Sequence, residues 1–266
     1  MTKQRLDDAL KRMRDSGGTG VIPYVTIGFP TPEDTLTIVP ALEQAGATAI
    51  ELGVPYSDPL AEGPTIQAAS YRALQAGMNM RRCIETAKAL RTNGVTVPLV
   101  FMGYYNPVLN YGLEKYAKEC AEAGVDGFII VDLPAEESGP FHDACRPEGL
   151  ALIPLLAPTS TEERIARCCE SAEGFIYCVS VAGVTGARSE LPPSLPAFVD
   201  RVRSHTSLPI AVGFGVSERA HVEAIGRVAD AAAVGSALIN GIDSAPAGER
   251  AQRAGAFIVS LLGVTG

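Results

Sequence analysis

The stretch AIELGVPYSDPLAEGPTIQ, residues 49–67, joins a short apolar run, a loop rich in Gly and Pro, and the start of an amphipathic helix. Glu51 lies within the apolar run, and the loop adds two further acids, Asp58 and Glu62. A charged carboxylate without a partner inside a buried strand costs several kcal/mol. Because strand, loop and helix form the unit from which parallel sheets are built, this stretch predicts both a fold class and a place for chemistry.

The same alternation of strand and helix runs through the chain. Eight apolar runs are predicted as strands: GVIPYVTIGF (20–29), TAIEL (48–52), VPLVFMGY (97–104), GFIIVDLP (127–134), LALIPLLAP (150–158), GFIYCVS (174–180), LPIAVGFG (208–215) and ADAAAVGS (229–236). Several are continuously apolar, which is typical of strands buried on both faces. With 266 residues and no linker, the pattern predicts an α/β protein, a single (β/α)8 TIM barrel domain over residues 1–266 with an extra N-terminal helix. An open doubly wound sheet is the alternative, because periodicity does not report closure.

Local signals place the helices between these strands. Thr31 is the predicted N-cap of a helix over 32–45, with Pro32 at its first position. Thr159 or Ser160 is the predicted cap of a helix within 159–171. A single helix is predicted from about Tyr111 to Ala123.

Composition excludes several classes of function. The net charge of −8 argues against nucleic acids and anionic membranes as partners. The N-terminus has no signal-type apolar region, and the longest apolar runs fall far short of the ~20 residues that span a bilayer, so a cytoplasmic protein is expected. The six cysteines form no C-x-x-C pair and are expected to be buried thiols. The three histidines lack metal-ligand spacing, so no metal site is predicted.

Glu51 is the first candidate for chemistry. If the side chains of TAIEL alternate, Ala49, Glu51 and Gly53 share one face, and Ile50 and Leu52 share the other. The apolar pair suits the helix layer, which directs Glu51 into the barrel mouth. Burial there raises the pKa of the carboxyl and suits it to general acid–base catalysis. The alternative is a Glu paired with a buried Arg or Lys.

Two loops after the seventh and eighth predicted strands are candidates for binding an anion. VGFGVS (212–217) and AVGSALING (233–241) place Gly and Ser between a strand and a helix, where backbone N–H groups bind phosphate. The alternative for both is a tight turn without ligand. SVAGVTGARSE (180–190) is either a lid that closes over substrate or an ordinary solvated loop. The residues alone predict a barrel enzyme with acid–base chemistry that acts on a small phosphorylated substrate without metal.

Several segments together resemble the tryptophan synthase alpha chain family: IELGVPYSDPLAEGPTIQ (50–67), MGYYNPVLNYGLEKYAKECAEAGVDGFIIVDLP (102–134), LAPTSTEERI (156–165), SVAGVTGAR (180–188), VGFGVS (212–217) and VGSAL (234–238). The resemblance runs in order from about Ile22 to Asn240. It implies a carbon–carbon lyase of tryptophan biosynthesis that cleaves indole-3-glycerol phosphate by a retro-aldol reaction to indole and glyceraldehyde 3-phosphate. It also implies a pyridoxal-phosphate beta chain that takes the indole, in an alpha–beta–beta–alpha heterotetramer. No cofactor is expected in this chain.

The same resemblance assigns the site residues. Glu51 is expected to deliver and remove protons, and Glu62 to take up the indole N–H. Substrate contacts are expected from Tyr24, Met102, Tyr177, Thr185, Gly186, Gly213, Phe214, Gly215, Gly235 and Ser236. Contacts with the beta chain are expected from Pro55, Asp58 and Asn106, although for Asp58 a cap of the turn before Pro59 is an equal alternative.

Residue 62 departs from the family, which has Asp where this chain has Glu in LAEGPT. The extra methylene moves the carboxylate by about 1 Å, a displacement that can cost of order 100-fold in rate. Either the loop compensates, the activity is lower, or the role is partly lost. Two rival functions therefore stay open: a free-standing lyase that releases indole, and a regulatory subunit that binds a phosphate ligand with little lyase activity. Glu62 favours the second, whereas the buried Glu51 argues against it.

Overall fold

The computed structural model describes residues 2–179, 192–213 and 215–263. Within them, nine strands are all parallel: β1 (Gly20–Thr26), β2 (Ile50–Gly53), β3 (Leu99–Gly103), β4 (Gly127–Ile130), β5 (Ala151–Leu152), β6 (Leu155–Leu156), β7 (Ile176–Val179), β8 (Ile210–Gly213) and β9 (Ala231–Val234). Their order in the sheet is β5-β4-β3-β2-β1-β9-β8-β7-β6.

The barrel closes through a break in the fifth predicted strand. β5 pairs with β4 and β6 pairs with β7, and only Ile153 and Pro154 separate the two halves. Pro154 has no N–H to donate, but its carbonyl accepts from Tyr177 at 3.1 Å, and the Ile153 N–H donates to Phe128 at 2.9 Å. The two edges of the sheet thus belong to one segment. The predicted TIM barrel is confirmed, the open sheet is excluded, and residues 150–158 form two short strands instead of one.

Twelve α-helices lie within the described residues: α1 (Thr2–Asp15), α2 (Pro32–Gln44), α3 (Pro64–Gln75), α4 (Met80–Thr92), α5 (Tyr105–Tyr111), α6 (Leu113–Glu122), α7 (Gly139–Cys145), α8 (Glu162–Ser171), α9 (Leu195–Arg203), α10 (Arg219–Gly226), α11 (Ser236–Asp243) and α12 (Arg250–Leu262). Short 3-10 turns occupy Arg146–Glu148 and Ala247–Glu249. The predicted N-terminal helix is present as α1. Thr31 caps α2 as predicted and forms a capping box with Asp34. None of these helices is long and apolar enough to cross a membrane.

One local helix prediction is confirmed and another is wrong. The helix predicted from about Tyr111 to Ala123 is α6, and a short helix that was not predicted, α5, precedes it and ends at Gly112, whose φ of +93° favours glycine. The cap of α8 is Thr161, whose hydroxyl accepts from the Arg164 N–H at 3.3 Å. Ser160 is unavailable for that role because its hydroxyl accepts from the Ala157 N–H at 3.1 Å.

Side chains separate into an inner and an outer apolar layer. Ala49 packs inside the barrel, whereas Ile50 and Leu52 pack against the helices, as the alternation of TAIEL predicts. The cysteines are free thiols, and all are buried except Cys169, which is partly exposed.

The N-terminal helix forms the floor of the barrel. Leu6, Leu10 and Met13 of α1 belong to the same apolar cluster as the inward-facing residues of the strands. Arg5 of α1 reaches Asp126 at 2.6 Å, and Arg14, near the other end of α1, reaches Asp230 at 3.1 Å. Each acid lies one residue before a strand, so both ends of the helix are attached to the amino-terminal rim.

Asp126 is the more deeply buried of these two acids. It accepts hydrogen bonds from the Leu99 N–H at 2.8 Å and from Arg91 at 2.7 Å, in addition to Arg5. Burial raises its pKa by more than the two arginines lower it. Arg91 also donates to three backbone carbonyls, those of Gly124, Val95 and Val97. The Asp126 carboxylate therefore stays ionised only while its hydrogen bonds with Arg5, Arg91 and the Leu99 N–H are all present.

Asp230 forms a similar network with more solvent access. It accepts from the Ile210 N–H at 2.8 Å and from Arg203 at 3.0 Å, besides Arg14. Burial raises its pKa, but these hydrogen bonds together bring the pKa below the ordinary value. The ionised form of Asp230 therefore stabilises the fold at neutral pH, and this contribution is lost as the pH falls through its lowered pKa.

Replacing Arg91 by Ala should destabilise the protein by about 3–5 kcal/mol, because the buried Asp126 would lose one of its two cations. Urea denaturation of wild type and Arg91→Ala measures this loss. The control is Arg219→Ala, which breaks the exposed pair with Glu223 (2.6 Å) and should cost less than about 1 kcal/mol. Equally small losses of stability in Arg91→Ala and Arg219→Ala would show that the network around Asp126 does not stabilise the barrel floor.

Candidate functional site

Glu51 lies on β2, two residues before the strand ends at Gly53, and its side chain lies in the barrel mouth. It pairs in register with Tyr24 of β1 and Val100 of β3, and only 1% of its surface is exposed. Its Oε1 atom has no hydrogen-bond partner, and no Lys or Arg of the described residues forms an ion pair with it. Among residues 2–179, 192–213 and 215–263, no buried Arg or Lys pairs with Glu51, so the alternative of a Glu held by a buried cation is not supported there. Glu51 is a desolvated acid.

Two carboxyls in this mouth have pKa values near neutrality. Burial, with a smaller contribution from the negative charge of Glu62, raises the pKa of Glu51 to about 8. Burial also raises the pKa of Glu62 to about 7. Because the charge of Glu62 acts on Glu51, the two carboxyls lose their protons in two coupled steps around neutral pH. Groups that gain and lose protons at working pH suit general acid–base catalysis.

The loop that carries Glu62 is anchored at several points. The Tyr56 N–H donates to Ser70 Oγ at 2.9 Å, and the Ser70 hydroxyl donates back to the Tyr56 carbonyl at 3.0 Å. The Ala61 N–H donates to the Tyr104 hydroxyl oxygen at 3.0 Å. Sequence reasoning missed Tyr104 and Ser70. Tyr104 follows β3 directly, so its place at the end of a strand is the signal that could have identified it.

Two buried tyrosines flank the acids, and each lies over the last residue of a neighbouring strand. The hydroxyl of Tyr24, on β1, lies so close to Gly53 of β2 that a Cβ there would overlap it. A Cβ on Gly213 of β8 would lie 2.5 Å from the hydroxyl of Tyr177 on β7. These glycines are needed because larger residues would displace the rings. Gly213 was predicted as a substrate contact, whereas the role of Gly53 was not predicted.

Electrostatics place both tyrosine hydroxyls beside the carboxyls. Burial raises the pKa of Tyr24 well above its ordinary value, and Glu62 and Glu51 add to the effect. Burial likewise raises the pKa of Tyr177, with Glu51 first and Glu62 second among the charges. Both hydroxyls therefore stay neutral and can donate hydrogen bonds at any pH the protein tolerates. Tyr177, which was predicted as a substrate contact, therefore lies in the same mouth as Glu51.

Met102 completes the apolar part of the mouth. It lies on β3 in register with Gly53, is half-buried, and packs against both apolar layers. Its side chain adds apolar surface to the barrel mouth. The structure thus brings together the predicted residues Tyr24, Met102 and Tyr177 with Glu51 and Glu62.

The loops after β8 and β9 provide a place for an anion. Gly235 is the N-cap of α11, and Ser236 is the first residue of that helix. The first turn of a helix leaves N–H groups free, and the helix dipole favours a negative charge there. Gly213 ends β8 and Gly215 lies in the loop that follows, next to the β9 loop because β8 pairs with β9. Thr185, Gly186 and Phe214, and the predicted lid at 180–190 as a whole, lie outside the described residues.

The predicted partner contacts surround the loop between β2 and α3. Asp58 and Asn106 are exposed, and Asn106 donates to the Tyr56 hydroxyl at 3.4 Å, whereas Pro55 is buried in this chain. Asp58 Oδ2 accepts from the Ser57 hydroxyl at 2.5 Å, and the Asp58 backbone carbonyl, not its side chain, accepts from the N–H of Leu60.

Two apolar residues missed by sequence reasoning are exposed close in sequence to Asp58 and Asn106. Leu60 of the loop has 90% of its surface exposed, and Leu109 of α5 has 51%. We call Asp58, Leu60, Asn106 and Leu109 the mouth rim. A mixed apolar and polar surface of this kind is typical of a protein–protein contact.

Comparisons with known proteins agree on one family. Residues 10–266 match the family model described as tryptophan synthase alpha chain. The chain is 54% identical over 259 residues to the tryptophan synthase alpha chain of Roseiflexus sp. strain RS-1, covering 97% of this chain and 99% of that one. It is 47% identical over 261 residues to the alpha chain of Chloroflexus aggregans, covering 98% of each.

Solved structures give the same result. Tryptophan synthase subunit alpha from Legionella pneumophila superposes with a TM-score of 0.90 at 34% identity, covering 97% of both chains. A chain from a study of mutual activation of the tryptophan synthase a2b2 complex of Pyrococcus furiosus superposes with a TM-score of 0.86 at 38% identity, covering 93% of this chain and 98% of that one.

Replacing Glu51 by Gln should change how stability depends on pH. The pKa of Glu51 is about 8 in the folded protein against an ordinary 4.5, so the unfolded chain releases the proton first. Wild-type stability should therefore fall relative to Glu51→Gln as the pH rises from about 5 to about 9, by roughly a few kcal/mol. Urea denaturation across this range measures the difference. Parallel curves, like those expected for the exposed control Glu223→Gln, would mean that Glu51 has an ordinary pKa.

Proposed function

This chain belongs to the tryptophan synthase alpha chain family and is a lyase of tryptophan biosynthesis, and on that premise we propose that its barrel mouth cleaves indole-3-glycerol phosphate to indole and glyceraldehyde 3-phosphate. The observation that carries the proposal is the buried Glu51, which has no cation beside it among the described residues and a pKa of about 8. A protein that only binds a ligand gains nothing from such a costly group.

In the proposed reaction Glu51 acts first as an acid and then as a base. Its neutral form donates a proton to C3 of the indole ring. The resulting carboxylate takes the proton of the hydroxyl on the adjacent glycerol carbon, which becomes the aldehyde carbon. The electron pair of the broken carbon–carbon bond returns to the ring, so indole leaves and Glu51 is again protonated. One group with a pKa near 8 serves both steps because it changes charge readily at working pH.

Glu62 has the complementary role in this proposal. Its carboxylate, with a pKa of about 7, would accept the indole N–H and balance the positive charge that protonation at C3 places on the ring. Tyr24, Met102 and Tyr177 would enclose the ring. The phosphate would bind N–H groups of Gly235, Ser236 and Gly215, and the sequence assigns Thr185, Gly186 and Phe214 to the same substrate. No cofactor in this chain is needed for these steps.

A beta chain is the proposed partner, as in the Pyrococcus furiosus complex. We propose an alpha–beta–beta–alpha heterotetramer in which the mouth rim faces a pyridoxal-phosphate beta chain that receives the indole. The rim lies beside the loop that carries Glu62, so contact with a partner could alter the position of this carboxylate. All six cysteines are free thiols, which suits the reducing cytoplasm as the compartment.

Glu51→Gln should lower indole release from indole-3-glycerol phosphate by at least about 100-fold, because the amide neither donates to carbon nor accepts the hydroxyl proton. Wild type should show a rate that rises as Glu62 ionises near pH 7 and falls as Glu51 loses its proton near pH 8. The matched control is Glu223→Gln on the surface of α10. A Glu51→Gln variant with most of the wild-type rate would contradict the assignment.

The same assay, repeated with a beta chain, separates the rival functions. Weak release that increases strongly with the partner supports the proposal. Full activity that the partner leaves unchanged would indicate a free-standing lyase. No release in either case, with phosphate ligand still bound, would indicate a regulatory subunit.

Leu109→Asp should weaken association with the beta chain by at least about tenfold, since a charge would be buried in the contact. Cleavage by the isolated chain should not change. Titration of the lyase rate with beta chain measures the affinity. Tyr71→Asp, on exposed α3 outside the mouth rim, is the control, and it should bind as wild type does. Equal affinities for Leu109→Asp and wild type would exclude Leu109 from the contact.

A further inference from the structure

Glu62 lies in a tight turn between β2 and α3, and the hydrogen bonds of its own backbone are local. The Glu62 N–H donates to the Pro59 carbonyl at 3.0 Å. The Glu62 carbonyl accepts from the Gln67 side chain at 2.9 Å. Both bonds join residues within the segment 59–67. They shape the turn and connect it to the start of α3, but they do not attach it to a strand of the barrel.

One hydrogen bond makes that attachment. The Ala61 N–H, on the residue directly before Glu62, donates to the Tyr104 hydroxyl oxygen at 3.0 Å. Among the hydrogen bonds of residues 57–63 in the described part of the chain, it is the only one whose partner lies outside residues 57–67. The turn is therefore bonded to the barrel wall through Tyr104.

The backbone on both sides of Tyr104 is bonded to the neighbouring strand. Gly103, the last residue of β3, accepts from the Val131 N–H at 3.0 Å. The Tyr105 N–H donates to Asp132 Oδ1 at 2.7 Å. Val131 and Asp132 directly follow β4, which pairs with β3. Tyr104 thus extends from a point that two strands hold in place.

The ring of Tyr104 is also held. It packs on the Tyr56 ring with centroids 5.0 Å apart, and only 7% of Tyr104 is exposed. Tyr56 in turn exchanges two hydrogen bonds with the buried Ser70 of α3, one to its N–H at 2.9 Å and one from its carbonyl at 3.0 Å. Backbone and ring together fix where the Tyr104 hydroxyl lies, so the Ala61 N–H bonds to a stationary acceptor.

The position of the Glu62 carboxylate depends on this backbone. Within the described residues, no hydrogen bond or ion pair holds the carboxylate itself. Its place in the mouth therefore follows from where residues 61 and 62 lie. A displacement of about 1 Å in a reacting group can cost of order 100-fold in rate. A bond that fixes the backbone beside Glu62 is thus important for any reaction that uses this carboxylate.

We propose that Tyr104 is a positioning residue for the cleavage, whose hydroxyl oxygen accepts the Ala61 N–H and so fixes the backbone from which Glu62 reaches the ring N–H of the substrate. The inference rests on the proposed function, since that function supplies the substrate and the role of Glu62. Tyr104 takes part in no chemical step and acts only through the turn. Loss of its hydroxyl should therefore lower the rate only in chains that carry Glu62.

Amide exchange in the full chain tests the hydrogen bond itself. Tyr104→Phe keeps the ring against Tyr56 and removes only the acceptor of the Ala61 N–H. Exchange of the Ala61 amide hydrogen, followed by NMR, should become about tenfold faster in this variant. The matched control is Tyr111→Phe, which removes a hydroxyl bonded to Glu119 at the far end of α5 and should leave this exchange unchanged. Equal Ala61 exchange in Tyr104→Phe and wild type would overturn the proposal.

Kinetics separate a positioning role from a general structural one. Tyr104→Phe should lower kcat for indole release by about tenfold. Its KM, and its affinity for inorganic phosphate, should stay within about twofold of wild type, because the proposed anion site at Gly235 and Ser236 lies on other elements. Tyr111→Phe should match wild type in all three. A loss of phosphate affinity as large as the loss in kcat would indicate a disturbed barrel and contradict the proposal.

A double variant shows whether Tyr104 acts through Glu62. Glu62→Gln removes the charge that the turn positions, so adding Tyr104→Phe should lower the remaining rate by less than about twofold. In the chain that retains Glu62, the same substitution should cost about tenfold. A tenfold loss in both backgrounds would show that Tyr104 acts independently of Glu62 and would overturn the proposal.

Failure of this proposal and failure of the proposed function give different results. A wild-type chain that releases no indole would refute the proposed function, and with it the role of Tyr104 in cleavage, whatever the amide exchange shows. Normal indole release with an unchanged Ala61 exchange in Tyr104→Phe would refute the role of Tyr104 alone.

Discussion

The cost of charging Glu51 is the constraint on which the mouth of this barrel depends. The residue lies within a parallel strand whose neighbours on both sides are buried, and the described residues supply no cation to balance it. The carboxyl therefore keeps its proton to about pH 8. Glu62 strengthens this effect by adding a second negative charge nearby. A proton that is held at neutral pH but easily released is what an acid–base step requires.

The surrounding side chains are arranged so that this cost is not relieved. Tyr24 and Tyr177 are neutral donors, and their hydroxyls lie over Gly53 and Gly213, where any larger residue would collide with them. Two ion-pair networks, around Asp126 and Asp230, lie at the opposite end of the barrel. These charges hold α1 in place, whereas in the described part of the chain no cation pairs with Glu51 in the mouth. This division lets the destabilised site coexist with a stable fold.

Sequence reasoning predicted the barrel, the direction of Glu51 and the order of nearly all elements, because these depend on periodicity and on strand-ending polar residues. It failed where a single residue changes a hydrogen bond. Pro154 breaks the fifth strand because it lacks an N–H, and Ser160 gives up the capping role to Thr161 because its hydroxyl bonds to Ala157 instead. Sequence reasoning also missed the short helix α5, which ends at Gly112 before the predicted α6. The contacts of Tyr24 with Gly53 and of Tyr104 with Ala61 join residues distant in sequence, which no local pattern reports.

The central claim is that Glu51 is protonated at neutral pH inside the folded chain. Infrared difference spectra between wild type and Glu51→Gln, recorded across a pH titration, isolate the carboxyl of this one residue. A carbonyl band of the protonated acid that persists at neutral pH and disappears near pH 8 is the result that the structure predicts. A spectrum that already shows the ionised carboxylate at neutral pH, with a midpoint near the ordinary 4.5, would contradict the account.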